Sequence, residues 1–138
     1  MPFLEKAKEQ GLAGYVVAPG HVDNVEDYYA IADISVLTSH YEPFGYVVLE
    51  AMRYMLPVVA FDSGGPAEVL KNDETGMLVR DGDIEEFARQ VLSLIENSEL
   101  RATIGRKARR VVEQGYNREI WIRQLNTTLY DIVTGHRV

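Results

Sequence analysis

At 138 residues, with 46% hydrophobic and 25% charged content, the chain has the make-up of a soluble globular domain or a piece of one. A net charge of −7 excludes general binding to nucleic acid, which takes an excess of Lys and Arg to neutralise phosphates. The absence of cysteine excludes a disulfide scaffold and a thiolate metal site and sets a cytoplasmic expectation; no apolar run approaches the ~20 residues of a membrane-spanning helix.

Residues 3–10 read as a helix closed by Gly11. Tyr15-Val16-Val17-Ala18, ending in Pro19-Gly20, predicts a strand over 15–18. A short helix follows over 25–32, with Asp23 or Asn24 as its cap, then a strand over 34–38 and a helix over 45–55. Residues 58–61 form a continuous apolar strand entered through Pro57. A short helix over 66–71 carries Pro66 in its first turn, where a missing N–H costs little. The last strand covers 76–79, and three helices follow at about 84–96, 99–114 and 118–134.

Short apolar strands alternating with helices predict an α/β class: a Rossmann-like parallel sheet with helices on both faces, ending in a helical segment. In such sheets the ligand crevice lies beyond the carboxyl ends of the strands. Three of those ends carry polar or turn-forming residues: Pro19-Gly20-His21, Ser39-His40-Tyr41-Glu42 and Asp62-Ser63-Gly64-Gly65.

The central turn is the most informative. Pro43 biases Glu42 away from helical dihedrals, so Glu42 belongs to the loop. Gly45 permits close approach of a ligand to the backbone. The first amides of the following helix lack partners inside it and can hold a phosphate. On that helix Tyr46, Glu50 and Arg53 share one face, and Val47, Ala51, Tyr54 and Met55 share another that is expected to be core. Glu50 lies roughly 7 Å along the axis from Gly45, a fair span from a diphosphate to a ribose diol. The plainer readings are an ion pair of Glu50 with Arg53 and an exposed loop acid at Glu42.

The run Glu42-Pro43-Phe44-Gly45 through Glu50-Ala51-Met52 resembles the signature of the retaining glycosyltransferases of the GT-B fold, the glycosyl transferases group 1 family: a Glu, seven residues, then a second Glu. Ala32 to Ser39, Leu56 to Ala60, Gly64 to Leu70 and Thr75 to Val79 are similar to flanking blocks of that family, as are Arg101 to Val112 and Leu129-Tyr130. The resemblance implies that Glu42 contacts the donor sugar near the reacting centre. It implies further that Pro43, Phe44, Gly45 and Ser39 meet the sugar and diphosphate, and that Glu50 holds the ribose. Gly20, His21, Val22 and Asp23 would lie near the base, and Gly64 and Gly65 would approach the ligand or form a turn. The implied substrate is a nucleotide-sugar such as a UDP-, GDP- or ADP-sugar, with no cofactor and no metal. The acceptor, whether sugar, glycan, lipid or small molecule, is left unnamed.

Two positions depart from the family pattern. Met55 stands where Gly usually closes the helix, at a cost of order 1 kcal/mol, and Asp73 stands at a turn where Gly is common. The family's donor domain also begins with two strands carrying an Arg and a Lys that clamp the diphosphate, and a separate acceptor domain precedes it. These 138 residues contain neither, so the expectation is a partial donor-binding domain, weak or inactive alone, with sheet edges open to pairing with another chain. Two other readings stay open: a glycogen-, starch- or sucrose-synthase-like enzyme, and a non-catalytic nucleotide-sugar binding or partner-assembling module.

His21 and His40 are read first as solvated loop residues and second as donor contacts. Glu68 suits a helix first turn. Trp121, with Leu125 and Tyr116, is expected in the core. Arg101, Arg106, Lys107, Arg109 and Arg110 read as a solvated helix face, with peripheral contact to a cytoplasmic membrane surface as the alternative.

Overall fold

The computed structural model describes residues 2–116 and 118–135. Helix α1 (Pro2–Glu9) leads through a single 3-10 turn (Ala13–Tyr15) to α2 (Val25–Ile31). There follow β1 (Ser35–Leu37), α3 (Tyr46–Arg53), β2 (Val58–Phe61), α4 (Gly65–Val69), β3 (Met77–Val79), α5 (Ile84–Glu96), α6 (Ser98–Gly115) and α7 (Arg118–Thr134). The strands form one parallel sheet in the order β1-β2-β3, with Val36 opposite Val59 and Ala60 opposite Leu78.

Every residue of β2 is buried, which requires cover on both faces of the sheet. Val58 and Ala60 pack with Val48, Ala51 and Met52 of α3 and with Val69 of α4. Val59 and Phe61 point the other way, to Phe87 and Leu94 of α5. Helix α6 joins the layers: Ile104 belongs to the second cluster, while Ala108 and Val112 belong to the first. Phe61, Met52, Leu94 and Ile104 are the largest fully buried side chains, each worth roughly 1.5–3 kcal/mol of burial. Local chemistry sets the helix starts. Asp83 Oδ1 accepts from the Glu86 amide at 3.0 Å, and Asn97 Oδ1 accepts from the Leu100 amide at 2.9 Å.

Four expectations need correction. Residues 15–18 do not form a strand: Tyr15 closes the 3-10 turn and Val17 is exposed. A β-branched run pairs only when a neighbouring strand accepts its hydrogen bonds, and none among the described residues lies beside it. The buried stripe of α3 is Val48, Leu49, Ala51 and Met52, whereas Val47, Tyr54 and Met55 are exposed. The helix ends at Arg53, so Tyr54 and Met55 lie in the turn that leaves it. Helix α4 runs Gly65–Val69, with Leu70 already extended, rather than over 66–71. Trp121 is 60% exposed, Leu125 and Tyr116 are exposed too, and no residue of α7 is buried.

The basic residues of α6 separate into two groups. Arg101 is half-buried and its guanidinium donates to the Leu94 and Ile95 carbonyls at 2.6 and 2.9 Å, closing the C-terminus of α5. Arg106, Lys107, Arg109 and Arg110 are exposed. No described helix is long and apolar enough to cross a membrane.

Candidate functional site

Three loops that leave the carboxyl ends of the strands are tied together. Ser63 Oγ donates to the His40 carbonyl at 2.8 Å, and the Gly65 amide donates to the Glu42 carbonyl at 2.7 Å. His40 Nδ1 lies 2.7 Å from Asp81 Oδ1, just past β3, and the imidazole stacks on Phe61 at 5.8 Å with an interplanar angle of 8°. The glycine pair is what permits this approach. A Cβ on Gly65 would fall 2.2 Å from the Phe44 carbonyl carbon, and one on Gly64 would fall 2.3 Å from the Glu42 carbonyl oxygen. Gly64 and Gly65 therefore seat the Glu42–Gly45 turn against the start of α4.

At the start of α3, Gly45 adopts φ 80°, a left-handed conformation that glycine reaches without penalty. Its carbonyl accepts from the Val48 and Leu49 amides at 2.9 and 3.2 Å. Its amide donates to Glu42 Oε1 at 3.1 Å. Glu42 is thus neither an exposed loop acid nor remote from the helix: it is half-buried, with its charge at the positive end of α3. The amides of Tyr46 and Val47 have no acceptor within the helix. Phe44 and Tyr46 are exposed beside them, with ring centroids 4.5 Å apart.

Glu50 lies further along α3, half-buried. The ion pair with Arg53 is not formed; Glu50 Oε2 accepts instead from Tyr29 Oη of α2 at 3.1 Å. The Tyr29 ring stacks on Tyr54, with centroids 5.6 Å apart. Burial, then the hydrogen bond to Glu50 and its negative charge, push the Tyr29 phenol up to about 12. Val25, Glu26, Tyr29, Glu50, Arg53 and Tyr54 line a cavity of about 120 Å³ between α2 and α3. A cavity of about 620 Å³ lies between the C-terminal ends of α3 and α6, bordered by Tyr54, Met55, Arg109 and Tyr116. It is at the opposite end of α3 from Gly45, so its size does not make it part of this site.

Ser39 and Pro43 are exposed on the β1–α3 loop. Gly20, His21 and Asp23 are exposed and Val22 is half-buried, with His21 Nε2 3.7 Å from Asp23. Among the described residues no hydrogen bond ties this segment to the loops around Glu42. Two of the three expected strand ends therefore meet by direct bonds, and the end of β3 joins them through Asp81. Among the described residues no group of three or more His, Asp or Glu side chains is placed to hold a metal ion. Sequence reasoning missed Tyr29 and Asp81. Tyr29 is 21 residues from Glu50, and only the stacking of α2 on α3 brings it there.

A parallel sheet with a glycine-started helix and an acid at its strand-end edge defines an α/β protein whose ligand crevice lies beyond the carboxyl ends of the strands. Residues 2–111 match the family of glycosyl transferases group 1, and the chain belongs to that family. It is 33% identical over 131 residues to N-acetyl-alpha-D-glucosaminyl L-malate synthase of Bacillus anthracis, covering 95% of this chain and 34% of that one. Anabaena HepE in complex with UDP superposes with a TM-score of 0.90 at 29% identity, over 94% of this chain and 36% of that chain. The same protein with UDP-glucose gives 0.87. Sucrose-phosphate synthase from Thermosynechococcus elongatus gives 0.88 at 28% identity, over 96% of this chain and 34% of that chain. The chain spans about a third of the length of curated relatives it matches. The fold matches the Rossmann-like C-terminal domain of GT-B glycosyltransferases.

Proposed function

We propose that this chain is the donor-binding part of a retaining glycosyltransferase. Its substrate is a nucleoside-diphosphate sugar, with the diphosphate at the start of α3, the ribose at Glu50 and the sugar beside Glu42. The observation that carries this reading is the bond from the Gly45 amide to Glu42 Oε1. An anionic oxygen already sits beside the start of α3, which supports placing the diphosphate there with Glu42 next to it. Donor binding exchanges that bond: a phosphate or sugar oxygen takes the Gly45 amide, and the released carboxylate turns to the sugar. The amides of Tyr46 and Val47 add two donors aimed at the leaving diphosphate, stabilising charge as the glycosidic bond breaks. Glu42 then stabilises the developing oxocarbenium-like centre, and catalysis is mainly positioning.

His40 and Ser63 hold the two sides of the turn in register, and Phe44 and Tyr46 supply an apolar lip. The segment Gly20–Asp23 takes the base side, with Val22 as the contact. Transfer needs groups from the other two-thirds of a relative's length, so the 138-residue chain alone binds donor but turns it over weakly or not at all. A cysteine-free chain fits a cytoplasmic setting. A glucan- or sucrose-synthase-like enzyme is the second reading, supported by the likeness to sucrose-phosphate synthase.

Calorimetric titration with UDP, GDP and ADP, each with and without its glucose ester, tests the site. One base is expected to be preferred, with an added increment from the sugar. That increment should vanish in Glu42→Ala. Binding that ignores the sugar in the unaltered chain would instead mark a nucleotide-binding module without transfer chemistry.

A further inference from the structure

We propose that Tyr29 is the positioning residue of the ribose subsite: its hydroxyl donates to Glu50 Oε2 and sets the carboxylate so that Oε1 faces a diol. The inference rests on the assignment of Glu50 to the ribose and adds the group that makes that carboxylate selective.

A glutamate on a helix surface has three side-chain torsions and moves freely among rotamers, so an unsupported carboxylate discriminates poorly between one hydroxyl and two. Glu50 is not unsupported. The 3.1 Å bond from Tyr29 Oη restrains one oxygen. Among the described residues Oε1 accepts no hydrogen bond. The phenol is itself restrained. Tyr29 packs against the core cluster that contains Val48, Ala51 and Met52, and its ring stacks on Tyr54 with an interplanar angle of 24°. Helix α2 buries none of its residues fully, and Tyr29 is the α2 side chain that packs partly buried against this cluster. The same residue thus docks α2 and aims Glu50 into the cavity that Glu26 and Arg53 also line.

Tyr29→Phe separates these roles, because it keeps the ring, the stack and the core contact and removes only the donor. The probes are UDP, GDP and ADP, each beside its 2′-deoxy counterpart, titrated into the 138-residue chain; the pair bound most tightly provides the readout. The unaltered chain is expected to favour the ribonucleotide by about tenfold, the scale of one charge-assisted hydrogen bond. Tyr29→Phe should reduce that preference to about threefold, through weaker ribonucleotide binding at unchanged deoxyribonucleotide affinity. Glu50→Ala, which removes every acceptor, should abolish it. Circular dichroism and thermal melting confirm that each variant is folded.

A Tyr29→Phe chain with the full preference overturns the positioning role and leaves the ribose assignment of Glu50 standing. Equal loss toward both nucleotides overturns it as well, since that is what a purely structural tyrosine would give. A full preference in Glu50→Ala, or no nucleotide binding by the unaltered chain, removes the assignment of Glu50 and this inference with it.

Discussion

Met55 and Gly105 are fitted to one another. Met55 leaves α3 at φ 59°, and its carbonyl oxygen stands 1.9 Å from where a Cβ on Gly105 would lie. The expected strain at Met55 is therefore real: the backbone takes the left-handed form that glycine usually supplies there, and α6 receives the turn at a residue with no side chain. Gly105→Ala should cost about 2–4 kcal/mol, since the atom it meets is backbone and cannot step aside. Met55→Gly should be neutral or stabilise by less than about 1 kcal/mol, relief of strain being offset by a more flexible unfolded chain. Urea unfolding of both variants checks the pair, and a Gly105→Ala chain as stable as the original would contradict the packing described.

Gly64 and Gly65 should be intolerant for a related reason with a different readout. Alanine at Gly65 meets the Phe44 carbonyl carbon at 2.2 Å, and alanine at Gly64 meets the Glu42 carbonyl oxygen at 2.3 Å. Each substitution should destabilise by about 2 kcal/mol or more. Each should also weaken nucleotide-sugar binding beyond any loss of folded protein, because the turn carrying Glu42 and Gly45 is what moves. Melting temperatures measured beside calorimetric affinities separate the two effects.

Glu42 accepts from the Gly45 amide just ahead of α3 and, in the proposed function, meets the donor sugar. Glu42→Ala should lower stability by about 1 kcal/mol through loss of the acceptor for the Gly45 amide. Glu42→Gln keeps an acceptor oxygen and should stay within about 0.5 kcal/mol of the original. Comparison of UDP with UDP-glucose binding across the two variants shows whether charge, beyond hydrogen bonding, serves the sugar.

Tyr29 gives a pH signature. Its phenol is raised from 10.0 to about 12, first by burial and then by Glu50. The folded state therefore favours the protonated phenol. The stability it contributes is full below about pH 10 and is lost as pH rises through about 12. Absorbance titration should show the Tyr29 phenol ionising at about 12. Glu50→Gln should bring that transition down, because it removes the charge that opposes the phenolate. A late transition unchanged in Glu50→Gln would assign the shift to burial alone.

Local signals carried much of the fold. The apolar run 58–61 is β2 as expected, and the bounds of α5 and α7 agree with their patterns. Asp83 and Asn97 cap where short polar side chains precede apolar periods, because an N-cap bond spans only a few residues. The placement of Glu42 at a helix start beyond a strand end was legible for the same reason: Pro43 and Gly45 impose their dihedrals wherever they occur.

What tertiary structure decided are the relations that no local rule contains. Residues 15–18 have strand composition and stay unpaired, since a strand exists only with a neighbour. Which side of α3 is buried depended on where the helix stopped and on α6 arriving at Met55. Trp121 has core chemistry and an exposed position, because burial is set by what packs over a side chain. Glu50 gained Tyr29 in place of Arg53, and the Glu42 turn gained Gly64 and Gly65, through contacts between segments remote in sequence. Periodicity and caps act over a few residues and can be read along the chain. The orientation of a carboxylate answers to whatever the fold brings within 3 Å or so of it, and only the folded chain determines that.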